Sequence, residues 1–109
     1  MATTYKVLGQ VNPAATTATT AYTVPSATET VISTIAVANT GGYPTTYRIA
    51  VRPNAETLAT KHYVAYDATI APQDTVTLTI GMTLDATDVV TVFTSSATMA
   101  FNLFGSEIA

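Results

Sequence analysis

The residue best suited to proton transfer in this 109-residue chain is its single histidine, His62, in the run Lys61-His62-Tyr63-Val64-Ala65-Tyr66-Asp67. General acid–base or triad chemistry would have to be built around it. Five serines accompany it, none in the strand–turn–helix setting of a nucleophile elbow. The run has a period of two, so it reads as a strand, with His62 a surface or cross-strand packing residue. Cysteine is absent, which excludes a thiolate nucleophile, a thiolate metal site and a disulfide scaffold. Asp85 and Asp88 flank one turn and Asp74 lies in another, the residue type that loops use to hold Ca²⁺. Their spacing lacks the alternating oxygen ligands of an EF-hand, and Asp in turns bonds its own backbone. Gly41-Gly42 is followed by no helix and no Lys-Ser/Thr pair, so it is a turn and not a phosphate loop. The expectation is a protein that is not an enzyme and takes no cofactor or metal.

Contact chemistry is better represented. Arg48 and Arg52 stand four apart on one strand and therefore share a face. They are suited to grip a carboxylate on a partner subunit, or to pair with Glu56 or Asp67 of the same domain. Tyr43, Tyr47, Tyr63 and Tyr66 crowd the middle of the sequence, and a tyrosine offers a flat apolar ring with a hydroxyl at its tip. They read either as a protein- or carbohydrate-facing set or as rings capping the edge of a small core. These six residues are the candidate contact positions.

The elements that carry them are strands. Val76, Leu78 and Ile80 alternate with Thr75, Thr77 and Thr79; Tyr47, Ile49 and Val51 alternate with Thr46, Arg48, Ala50 and Arg52. Val31, Ser33, Ile35 and Val37 form a third set, and Met99, Phe101 and Leu103 a fourth. Lys61 to Asp67 and Val89 to Thr94 complete six clear strands, with Tyr5 to Leu8 and Tyr22 to Val24 as shorter ones. Pro25-Ser26, Asn39 to Pro44, Pro53-Asn54, Pro72-Gln73-Asp74 and Asp85 to Asp88 punctuate them as turns. The fragment Asp67 to Ile70 reads as a turn before a strand. The best helix candidate, Ala55 to Thr60, is a single turn. Residues 1–109 thus read as one all-β domain, an antiparallel β-sandwich of Ig-like or jelly-roll-like type with about seven or eight strands. Residues 10–21, low in complexity, are either an extended arm or a loop crossing between sheets.

Composition restricts the class further. Charged residues are 10% of the chain, against roughly 25% in an average soluble protein. Four Lys+Arg face seven Asp+Glu, a net charge of -3 that argues against nucleic acid as a partner. The 24 Thr and 18 Ala supply much of the rest. No stretch approaches the ~20 apolar residues of a membrane span, and the N-terminal run lacks the apolar core of a secretory signal. The surface still suits a protein that works outside a cell, and a virus particle assembled in the host cytoplasm reconciles the two.

Several segments resemble small β-sandwich virion proteins of tailed bacteriophages, cyanophages among them. They are Ala21-Tyr22-Thr23-Val24-Pro25; Ile35 to Gly42 leading into Thr46-Tyr47-Arg48-Ile49-Ala50-Val51; Ile70-Ala71-Pro72-Gln73-Asp74-Thr75; Leu84 to Val92; and Phe101-Asn102-Leu103-Phe104-Gly105-Ser106-Glu107-Ile108. The likeness covers nearly the whole chain and consists of sandwich and turn motifs, none catalytic. It implies a virion structural protein: a capsid decoration or cement subunit, or a tail, neck or fibre component. The implied partners are the major capsid protein or other virion proteins and further copies of the chain, a trimer included. A glycan-binding adhesion module is the reading from another class.

Overall fold

The computed structural model describes residues 2–109, and its regular secondary structure is strands apart from two 3-10 turns. In chain order these are β1 (Thr3–Val11), β2 (Thr19–Thr23), β3 (Glu29–Asn39), β4 (Thr45–Arg52), β5 (Tyr63–Ile70), β6 (Thr75–Leu78), β7 (Met82–Leu84), β8 (Val89–Thr94) and β9 (Met99–Ile108). All pairings are antiparallel. The first sheet runs β1-β9-β3-β6, with β7 also on the free side of β3, and the second runs β2-β8-β4-β5. The two pack face to face as a β-sandwich, as the alternating patterns predict.

One more strand is present than the patterns supply, because the run from Thr75 to Ile80 does not stay straight. It leaves β3 after Leu78, Gly81 takes a φ of 63°, and the chain rejoins β3 as β7. Ile80, expected on the apolar face of that run, is consequently exposed. A second correction concerns β3. A bulge at Ser33 shifts its register against β9, so Thr30 and Ile32 face the core where Val31 and Ser33 were expected. Inserting one residue turns every preceding side chain to the other face. The third is at Lys61 and His62, which lie in a 3-10 turn, Thr60–His62, ahead of β5. Asp67 to Ile70 are the second half of β5 rather than a turn, and Pro53–Ala55 forms another short 3-10 turn.

Residues 12–18 cross from β1 in one sheet to β2 in the other. Asn12 Nδ2 donates to the carbonyls of Ala97 and Met99, and the Thr16 amide donates to the Thr94 carbonyl at 2.7 Å. Where β1 meets β2, a Cβ on Gly9 would stand 2.3 Å from the Ala21 carbonyl oxygen, so only glycine permits the approach.

The core lies between the sheets. Phe101, Leu103, Met99, Ile32, Ile35 and Val37 meet Tyr47, Ile49, Val90 and Val92, with Tyr47 edge-on to Phe101 at 6.3 Å. Full burial of such side chains contributes about 1.5–3 kcal/mol each. Polar groups inside are satisfied. Asn39, 2% exposed, donates to the Tyr43 and Ala71 carbonyls and accepts from the Gly41 amide and the Thr98 hydroxyl. It locks one end of the sandwich.

At the other end the Tyr22 hydroxyl shares a hydrogen bond of 2.8 Å with Thr30 and donates to Glu107, which also pairs with Lys6 at 2.8 Å. Burial foremost, then the Glu107 contact, pushes the Tyr22 phenol from its ordinary 10.0 up to about 12. Hydrogen bonds, first from Lys6 and then from Tyr22, hold Glu107 below the usual carboxylate value. The signs follow by linkage. Glu107 contributes stability that is complete above its unfolded-state value and is lost as pH falls through the lower folded one. Tyr22 acts at the alkaline end: the unfolded chain ionises first, so stability falls as pH rises from about 10 towards about 12. Urea melts across pH are expected to show both limbs. Tyr22→Phe should shrink both and cost about 1–3 kcal/mol at pH 7, since the buried Thr30 hydroxyl loses its partner. An unchanged alkaline limb would contradict the assignment.

Candidate functional site

Two outer faces are available, and they differ in chemistry. On the second sheet, Arg48 projects outward from β4 between the rings of Tyr66 and Phe93, at 4.3 and 4.4 Å from their centroids. Its fork meets Asp67, Nε to Oδ1 at 2.6 Å and Nη2 to Oδ2 at 3.3 Å. A bulge builds this arrangement. Tyr47 pairs with Ala68 and Ile49 with Ala65, so Tyr66 and Asp67 together oppose Arg48. Asp67 takes a φ of 49°, a left-handed conformation that Asp tolerates better than most residues. The Asp67 hydrogen bond, more than any other contact, favours the charged guanidinium and raises its pKa further.

Tyr63 stands edge-on to Tyr66 at 4.8 Å. With Leu58, Ala59 and Thr60 the two rings line an open depression of about 670 Å³. Of the six candidate contact residues, the structure therefore brings together Arg48, Tyr63 and Tyr66. Arg52 points to the same face but binds within the chain, Nε to the Thr91 hydroxyl at 3.1 Å and Nη1 to the Glu56 carbonyl at 3.0 Å. Tyr47 lies in the core, and Tyr43 stands by itself on the β3–β4 loop, 83% exposed.

The groups with catalytic or metal-binding chemistry are occupied by structure. His62, expected on a strand as a surface or cross-strand packing residue, is buried in the 3-10 turn: Nδ1 accepts from the Ala59 amide at 3.0 Å and Nε2 meets Glu56 Oε1 at 3.1 Å. That contact, then Lys61, holds Glu56 below the usual carboxylate range. Asp88 accepts from the amides of Asn54 and Asp85, and Asp85 from that of Ala86. Asp74 accepts from the Thr75 amide. Among the described residues no three His, Asp or Glu side chains converge as a metal site.

The outer face of the first sheet is the surface that the sequence patterns pass over. Register places Tyr5, Val7, Phe104, Ser106, Val31 and Thr34 on it, continuing through Asn102, Ala36, Thr77 and Thr75. Val7 is the cross-strand partner of Phe104, and Tyr5, Val7 and Phe104 are 84%, 48% and 37% exposed. Charge on this face is confined to one end, where Glu29 and Asp85 line a depression with Val31, Thr83 and Ile108. The signal was present in Leu103-Phe104: two consecutive large apolar residues in a strand must point to opposite faces.

Comparison with known proteins adds no identity: the chain matches no family, no curated protein and no solved structure.

Arg48→Lys is expected to lower the urea midpoint more than Asp67→Asn. The lysine loses both the fork and the flat surface that the two rings cover, whereas the asparagine leaves the stacking in place. The reverse order would contradict the central place given to stacking.

Proposed function

We propose that this chain is a non-enzymatic structural subunit of a tailed-phage virion, a capsid decoration or cement protein. It works through protein–protein contacts made by the outer face of its first sheet. The observation that carries this reading is that face: a broad, almost uncharged surface with Tyr5, Val7 and Phe104 exposed. Contiguous apolar exposure of this kind marks an interaction surface. Aromatic residues are enriched and charged ones depleted at the core of interfaces. The likeness of its sandwich and turn segments to small phage virion proteins supplies the context. The partner is the major capsid protein or another virion protein, and the subunit functions in the assembled particle. A tail, neck or fibre position uses the same surface at lower copy number.

A specific feature favours a second reading, a glycan-binding module. The Tyr63–Tyr66 depression places an exposed ring beside the Arg48–Asp67 fork, and sugars stack on such rings. Glycan-array binding lost in Tyr63→Ala and Tyr66→Ala would support it.

Quantitative mass spectrometry of purified particles tests the first reading. Hundreds of copies per particle are expected for a shell coat, and a few to a few dozen would move the subunit to the tail or neck. Val7→Glu or Phe104→Glu should fold normally yet lose incorporation, whereas Tyr66→Ala should retain it. Absence of the protein from particles would overturn the proposal.

A further inference from the structure

A β-sandwich has four sheet edges, and unpaired backbone groups along any of them are a template for another strand. Three are spoiled here. β5 carries two register shifts and the left-handed Asp67. β6 and β7 are four and three residues long and separated by the break at Gly81. β2 has five residues and a register shift, and it lies against Gly9 of β1. The remaining edge is β1. Its register against β9 is regular from Thr3 to Val7, every residue from Ala2 to Val7 is exposed, and no proline interrupts it.

Backbone geometry says which groups are free. Ala2 and Ala109 exchange both hydrogen bonds, N–H to O at 2.8 and 2.9 Å. Bonded pairs recur every second residue in an antiparallel ladder. Thr4 with Glu107 and Lys6 with Gly105 are therefore the next bonded pairs. The N–H and C=O of Thr3, Tyr5 and Val7 point away from β9, to the open edge.

We propose that β1 pairs with β1 of a second copy, antiparallel about a two-fold axis at Tyr5, joining the two first sheets into one. This rests on the reading that the protein assembles through its first sheet, and it names the contact between copies. In that register Tyr5 meets the partner copy's Tyr5, and Thr3 meets its Val7 on either side. Three bonded pairs form from groups now open to solvent, each with two hydrogen bonds. Side chains of Thr3, Tyr5 and Val7 lie on one face, so β-branched and aromatic residues meet across the seam.

Charge selects a second copy as the occupant. Lys6 is the only charged residue on β1 and already pairs with Glu107. In the two-fold register Lys6 lies opposite the partner copy's Thr4, whose neighbour on β9 is that copy's Glu107. Each lysine then stands between two carboxylates, one from each chain. An isologous contact through one short strand falls below the ~1,200 Å² of a stable interface. The dimer is therefore weak when free and is reinforced when both copies sit on one scaffold.

Sedimentation equilibrium from micromolar to millimolar concentration tests this on the full chain. A monomer–dimer equilibrium is expected. Tyr5→Pro removes an N–H that β9 does not use, at an edge position where proline is tolerated. Its thermal midpoint should stay within a few degrees of wild type while its dimer dissociation constant rises at least tenfold. Tyr5→Ala, which keeps the backbone donor, should weaken the dimer less. A wild-type chain that stays monomeric at millimolar concentration overturns the proposal. A dimer that persists unchanged in folded Tyr5→Pro overturns this interface while leaving virion assembly standing, which the particle copy count tests separately. Should Tyr5→Pro fail to fold, Val7→Pro, whose amide also faces the open edge, serves as the second variant.

Discussion

Scarcity of charge is the constraint that organises this surface. With four cations and seven carboxylates, the chain places all but Glu29 where another group of the same chain binds them. Lys6 pairs with Glu107, Arg48 with Asp67, Lys61 with Glu56, and Arg52 bonds Thr91 and a carbonyl. Asp74, Asp85 and Asp88 hold the amides of turns. These are structural uses: they tie neighbouring strands, hold turns and brace the β5 bulge. What remains for the outer face of the first sheet, away from Glu29 at its end, is hydroxyls, small side chains and three exposed apolar groups.

The bulges turn this economy into shape. At Ser33 of β3 the register against β9 shifts beside Phe104, and β1 shifts at Leu8 against the same part of β9. They switch the alternation of β1 and β3 at this point, so that Val7 and Thr34 flank the outward Phe104 while Ile32 turns to the core. Gly105 allows the tight passage, since a Cβ there would lie 2.0 Å from the Val31 carbonyl oxygen. On the second sheet the bulge at Tyr66 and Asp67 gathers an aromatic and charged cluster around Arg48. One device thus gives two faces of opposite character.

Most of the fold was legible in the sequence, because strands with one buried face show period two and their turns carry Pro, Gly, Asn and Asp. Val90 and Val92, Tyr47 and Ile49, and Phe101 and Leu103 all lie where alternation puts them. The misreadings sit at irregularities that alternation cannot show: the bulge at Ser33, the break at Gly81, and the 3-10 turn that buries His62. Arg48, Tyr63 and Tyr66 converge through pairing between β4 and β5, and spacing along the chain did suggest them. The Tyr5, Val7 and Phe104 surface joins residues almost a hundred positions apart. Register between β1 and β9 creates it, and no local window contains it.

The central claim is that the first sheet, at its β1 side, is where this protein meets its neighbours. Hydrogen–deuterium exchange of dilute and concentrated chain, resolved to single amides, addresses it directly. The account predicts that the amides of Thr3, Tyr5 and Val7 exchange freely when dilute and become protected on concentration, while those around Tyr63 and Tyr66 do not change. Protection that appears on β5 and leaves β1 exchanging freely would contradict it.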